Sequence, residues 1–354
     1  MKIAFSNKYS ERISFSEYLE NAKRLGYDGV EIADFSKNAF EDALCPFSPA
    51  AAAATKRKIY NSRTAVFAID SGCDISAAGN ALDNIRLVKE AIAAAADVNV
   101  PYVRVCALSR ENSAFETVKA FLEIVIPAAE SENIILLLET AGIFSSTAVL
   151  RDLLNYFASD YLAADWNMYE TYFAAGESAQ DSITNLGAYV KSVHIADAKK
   201  YGEPALIGEG ELPVDDMMRA LGSVNFKGFI VPDWEPETMP QADGGEIILT
   251  HFESFISRYL KGGEKKRYYY NKAGTGRFVW KKDELIDKTF SGVLDTCARS
   301  SRTHSALNIQ RLITPAATHS SEMMLIILPV RLSLWAWMPA AMLQYGQRIF
   351  RSGI

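Results

Sequence analysis

Cysteine and histidine are both scarce in this chain, four of each in 354 residues. The cysteines, Cys45, Cys73, Cys106 and Cys297, stand far apart and form no CxxC pair. That spacing excludes a disulfide framework and a zinc knuckle, and points to the reduced thiols of a cytoplasmic protein. Positive charge is also in deficit. The net charge is −6, and no basic patch stands out in the first 260 residues, which argues against a nucleic-acid partner. No GxGxxG follows the first apolar run, so a dinucleotide-binding open sheet is disfavoured. The opening MKIAFSNKYSERIS turns polar too soon for a signal peptide.

What the chain does have is core material, with 49% apolar and 23% charged residues. Eight short apolar runs recur: KIAFS (2–6), GVEIAD (29–34), TAVFAID (64–70), YVRVCAL (102–108), IILLLET (134–140), YLAADW (161–166), VKSVHIAD (190–197) and GFIVPDW (228–234). Such runs are continuous rather than alternating, the pattern of strands buried on both faces in a parallel sheet. Helical spacing fills the gaps, as in 14–26, 81–98 and 113–130, and Ser14 with Glu17 fits a capping box. Eight strand–helix pairs in about 250 residues predict an α/β fold, a closed (β/α)₈ TIM barrel. A last helix over 244–262 closes it, and Gly262-Gly263 marks the boundary with a non-barrel C-terminal extension.

Sites in such barrels are built at the C-terminal strand ends. There the fifth run ends in Glu139 and the sixth in Asp165. The seventh carries His194 and Asp197, and the eighth reaches Asp233, Trp234 and Glu235. The second run adds Glu31 and the fourth Arg104. A histidine in an apolar run is ordinarily a hydrogen-bonded core residue, and a strand-end Asp is ordinarily a helix cap. Four such groups on consecutive strands would repel and desolvate one another without a cation, so jointly they predict a metal site. Three carboxylates and one imidazole suit one divalent ion, Mn²⁺, Mg²⁺ or Co²⁺, with Zn²⁺ as a further candidate.

The stretches LLLET, AADWNMY, SVHIADAK, LIGEGELPVDDMMRAL and KGFIVPDWEP resemble the sugar phosphate isomerase/epimerase family with the xylose isomerase-like barrel, over residues 1–262. The resemblance implies metal ligands Glu139, Asp165, His194 and Asp233. It makes Asp197 and Lys199 substrate contacts or supports of the ligands. From their positions alone Arg104, Trp234 and Glu31 are further substrate contacts, with a carboxylate or helix dipole as the alternative partner of Arg104 and a core role as that of Trp234. Glu139 with Asp233, or with its rival Glu235, would be the catalytic pair, because the family more often has Glu where Asp233 stands. The family's polar continuation after the fifth-strand Glu is replaced by AGIFSS.

The implied chemistry is proton transfer beside a carbonyl through a metal-stabilised enediolate, epimerising or isomerising a sugar or sugar phosphate. A trinuclear zinc site is excluded, since only His194 and His251 fall in the barrel region. A hydride-shift site is disfavoured because no histidine precedes residue 194. Dehydratase or lyase chemistry on the same ligands, or a barrel without turnover fused to a ligase fragment, are the alternatives. Homo-oligomerisation is left open.

After Gly263 the composition changes. Residues 263–298 read as a linker and the truncated start of a second region, and ELIDKTFSGVLDTCA resembles the opening of AMP-forming acyl-CoA synthetases. Residues 299–354 read as an out-of-frame, poorly ordered tail: MLQYGQRIFRSGI is what the ligase-like HVAIWATNIPQWY yields one base off. The apolar run 323–343 is broken by Pro329, Arg331 and Pro339, so no membrane span is expected.

Overall fold

The computed structural model describes residues 1–9, 12–36, 38–233 and 245–260, with the backbone of the short strands Arg267–Tyr270 and Arg277–Trp280. The chain divides into two compact units, Met1–Val279 and Trp280–Ile354, and the second lies outside the described residues apart from Trp280. The expected boundary at 262–263, most of the ligase-like stretch and the run 323–343 also lie outside them. Among the described residues no helix is long and apolar enough to cross a membrane.

All eight apolar runs form strands: β1 (Lys2–Ser6), β2 (Gly29–Ile32), β3 (Ala65–Asp74), β4 (Tyr102–Cys106), β5 (Ile135–Glu139), β6 (Leu162–Asn167), β7 (Val190–Ile195) and β8 (Phe229–Pro232). They pair in parallel in chain order, and β8 closes on β1 through Lys2–Phe229 and Ile3–Ile230. The helices between them are α1 (Phe15–Arg24), α2 (Ala52–Ser62), α3 (Ala81–Val98), α4 (Ala114–Ser131), α5 (Thr147–Phe157), α6 (Ala179–Leu186), α7 (Val214–Ser223) and α8 (Gly245–Ile256). Ser14 caps α1, accepting the Glu17 N–H as its spacing predicts.

Strand parity sorts the side chains. Ile3 and Phe5, Val103 and Val105, Leu136 and Leu138, Trp166, Val193 and Ile195 all pack in the main core. A separate cluster on β1, β3 and β8 holds Ala4, Phe67, Ala68, Phe229 and Val231, the neighbours Phe67 and Ala68 both entering it where the register of β3 against β2 shifts, and Phe67 stacks on Phe229 at 4.6 Å. Arg104, Glu139, Asp165 and His194 share the parity that avoids the main core.

After β7 the chain makes a two-residue ladder, Asp197–Ala198 against Pro204–Ala205. Asp197 is fully buried and accepts the N–H groups of Ala198, Gly208, Gly210 and Leu212 at 2.8–3.0 Å. Its two oxygens are taken up by these four N–H groups, so it holds the GEGELP loop, the supporting role rather than the substrate contact of the two that the sequence offered. Gly210 is required there, because a Cβ would sit 2.1 Å from Asp197 Oδ1. Replacing Asp197 by Ala orphans four N–H donors, those of Ala198 and Leu212 buried, so chemical denaturation should show a loss of about 3 kcal/mol or more. A loss below about 1 kcal/mol would refute this account of the loop.

Candidate active site

Arg104 lies at the centre of the inward-facing polar groups. Its Nε is 3.2 Å from Glu31 Oε1, Nη2 is 2.5 Å from Asp70 Oδ2, and Nη1 is 3.0 Å from Glu139 Oε2 and 3.9 Å from Asp165 Oδ2. The arginine is buried, and these carboxylates raise its pKa further although burial opposes the charge. Arg104 is thus the cation of the barrel floor, already engaged by four acids, rather than a side chain reaching out to a substrate oxyanion.

His194 bridges two of the same acids. Its Nε2 lies 3.1 Å from Glu31 Oε2 and its Nδ1 lies 2.7 Å from Asp165 Oδ2. Burial disfavours the imidazolium, but Asp165 and Glu31 outweigh it and the pKa is raised well above the ordinary value. Glu31, expected at the substrate, stands behind the histidine. Burial would raise its pKa, yet Arg104 and His194 bring it to about 2.

On the open side Asn167 joins the remaining acids. Its Nδ2 donates to Glu139 Oε1 at 2.8 Å and to Asp233 Oδ2 at 2.9 Å. Lys8, in the turn after β1, holds Asp233 Oδ1 at 3.0 Å. The two carboxyls differ in consequence. Burial, with Asp233 and Asp165 nearby, pushes Glu139 up to about 7 despite Arg104. Asp233 is half-buried, which would raise its pKa, but Lys8, His194 and Arg104 bring it down to about 2. Beyond them Glu170 pairs with Arg110 at 3.1 Å.

The sequence-predicted ligands Glu139, Asp165, His194 and Asp233 are thus brought into one network, with Glu31 and Arg104. Lys199 is not: it is exposed, and its ammonium lies 3.9 Å from Glu203. Trp234 and Glu235 lie outside the described residues. Three members went unrecognised in the sequence. Asp70 ends the third apolar run and carried the same signal as Asp165, whereas Lys8 follows β1 and Asn167 ends β6 beyond the apolar run, with no marking pattern. Burial raises the Cys73 thiol and pushes Cys106 up to about 12, so neither is an activated nucleophile.

Whether a divalent ion suits this donor set is shown by the buried atoms left over. Among the described residues Glu31 Oε1, Arg104 Nε, Asp165 Oδ2 and His194 Nδ1 lack a hydrogen-bond partner. His194 Nδ1 and Asp165 Oδ2 are close but not in hydrogen-bond geometry, while Nε2 faces a carboxylate. That is how a ligating histidine and its orienting acid are arranged. Five carboxylates also outnumber the permanent cations Lys8 and Arg104. In donor chemistry and charge the residues fit a divalent cation. Glu139 and Asp233 are turned to Asn167, Arg104 and Lys8, and among the described residues no three His, Cys, Asp or Glu groups are gathered as a finished metal site.

The barrel has close counterparts. Among solved structures, D-psicose 3-epimerase crystallised with D-fructose superposes with a TM-score of 0.59 at 14% identity, covering 74% of this chain and 100% of the other. L-ribulose 3-epimerase gives 0.58 at 15%, covering 73% and 94%. The E. coli 3-keto-D-glucoside 4-epimerase gives 0.56 at 17%, covering 66% and 91%. At these identities the likeness is one of fold. No curated protein matches by sequence. The sequence profile described as xylose isomerase-like TIM barrel matches residues 19–253, about two-thirds of the chain. The chain belongs to the xylose isomerase-like TIM barrel family.

Proposed function

We propose that the barrel is a divalent-metal-dependent isomerase or epimerase acting on a sugar or sugar phosphate. One observation carries the reading: the Glu31–His194–Asp165 chain, with its unpartnered Nδ1 and Oδ2, lies in the same buried network as Glu139 and Asp233. The sugar epimerases that share the fold support it. Glu139, Asp165, His194 and Asp233 would hold the ion, which would supply a Lewis acid that acidifies the C–H bond beside a bound carbonyl.

The remaining steps belong to the protein. Glu31 on Nε2 keeps the His194 ring turned so that Nδ1 faces Asp165. One of the pair Glu139 and Asp233 takes the proton from the sugar carbon, and the other returns a proton to that carbon or its neighbour. Glu235 remains the rival of Asp233 in the sequence. Phe67, Phe229 and Val231 form an apolar cluster from the inward-facing strand set.

Metal analysis after reconstitution with Mn²⁺ should give about one equivalent for the wild-type chain, and Glu139→Gln and His194→Ala should each lower it substantially. Unchanged stoichiometry in both variants would remove the basis of the assignment. In D₂O, a ketose and aldose screen should show solvent deuterium entering at least one sugar. Failure to label any sugar would favour a dehydratase or a binding protein.

The acid network adds a pH test. Glu139 titrates at about 7 in the folded chain against an ordinary 4.5, so it favours folding while protonated. That contribution is lost as pH rises from about 4.5 through 7. Without metal, Glu139→Gln should therefore gain melting temperature relative to wild type between pH 5 and pH 8. A difference that stays level across this interval would contradict the buried, partly protonated state of Glu139.

A further inference from the structure

Asn167 stands two residues after Asp165, at the last position of β6, and is 4% exposed. Its side-chain amide is committed on both sides. The nitrogen serves Glu139 and Asp233, and Oδ1 accepts the backbone N–H of Glu170 at 3.1 Å. The opposite amide orientation would set an NH₂ against that N–H and an oxygen against two carboxylates, so only one assignment satisfies the site. The backbone is pinned as well: the N–H donates to Thr140 Oγ1 at 2.7 Å, and the carbonyl accepts from Thr140 Oγ1 and Thr171 Oγ1 at 3.3 Å. Trp166, its neighbour, is fixed through Nε1 to Thr171 Oγ1 at 3.0 Å.

An amide N–H₂ held this way is a fork of fixed spread. It aims one oxygen of each carboxylate at a common atom and sets those oxygens about 5 Å apart. We propose that Asn167 is a positioning residue which sets the spacing and facing of Glu139 and Asp233 for proton transfer. The inference rests on the isomerase reading above and extends it to a residue that would touch neither metal nor sugar. In the step it serves, the sugar C–H bond breaks and its electron pair moves toward the adjacent carbonyl. The proton passes to one carboxyl, and the new C–H bond takes its proton from the other. The two carboxyls end with their protons exchanged between them, and exchange with water restores the starting state. Turnover then depends on both groups being in reach of the same substrate, which is what a shared donor enforces.

The competing account is that Asn167 only holds the turn at Glu170. Asn167→Asp separates the two, because it keeps the acceptor for the Glu170 N–H and removes both donors. Asn167→Ala removes everything, and melting temperature and Mn²⁺ content are read for both variants to confirm folded, loaded protein. The assay is conversion of a panel of ketohexoses and ketopentoses in D₂O with Mn²⁺, scoring both product and deuterium in recovered substrate. Asn167→Asp should lose about 100-fold in kcat with KM changed less than about 3-fold. The ratio of deuterium in recovered substrate to product formed should rise, because abstraction by one carboxyl survives when return from the other is lost. Wild-type kcat in Asn167→Asp, or an unchanged exchange-to-product ratio in both variants, would overturn the positioning role while leaving the isomerase reading intact. No exchange by the wild-type chain with any ketose would overturn both.

Discussion

Five carboxylates gathered inside a closed strand ring set the terms for everything else at this mouth. Desolvating one carboxylate without compensation is costly, and doing so for five from β2, β3, β5, β6 and the end of β8 is possible only around positive charge. Arg104 answers most of that demand from β4, touching Glu31, Asp70, Glu139 and Asp165 within 4 Å. His194 answers part of it by taking a proton between Glu31 and Asp165, and Lys8 covers Asp233. What is left is an excess of negative charge, concentrated where Glu139 is pushed toward protonation. A divalent cation would relieve that excess and displace a proton from His194, so metal uptake and proton release are two faces of one charge requirement.

Much of this was legible because strand parity and strand ends carry strong signals. The eight runs all became strands, and the acids or imidazole ending the fifth to eighth runs were drawn together at one end. Asp70 was equally legible and passed over, since it ends its run as Asp165 does. Glu31 and Arg104 were found, and Arg104 has the carboxylate partners that were one of its two readings; sequence shows that a charge faces inward, not how deep it sits. Both turned out to form the layer beneath the site. Asp197 shows the limit in another form. A strand-end acid that binds a ligand and one that collects backbone N–H groups look identical in sequence, and only the return of Gly208, Gly210 and Leu212 onto it decides. Lys8 lies in a turn, and the distance from it to Asp233, 225 residues along the chain, exists only after barrel closure.

The loop after β7 is packed tightly against its neighbours. Gly208 at φ +84° packs so tightly that a Cβ would meet the Phe255 ring at 2.0 Å, and Gly210 has no room beside Asp197. Both glycines are spent on close approach. Rigidity there suits a site whose working groups come from strands, since a strand end is placed by hydrogen bonds on both sides.

The pair Glu139 and Asp233 shows how partners, rather than residue type, divide the labour between two acids. Glu139 is buried and Asp233 half-buried, and both accept from one Asn167 nitrogen. Yet Asp233 has an ammonium on its other oxygen, and Glu139 shares its guanidinium with three further acids. Lys8 therefore gives Asp233 a cation at hydrogen-bond distance, whereas the Arg104 charge reaching Glu139 is shared with Glu31, Asp70 and Asp165, and the two carboxyls separate to about 2 and about 7. Two groups whose environments drive their proton affinities apart form an acceptor and a donor before any substrate arrives. The asymmetry comes from β1 and β4, elements that supply neither member of the pair. The division of charge at this mouth is thus a property of the closed ring and not of the strand ends alone.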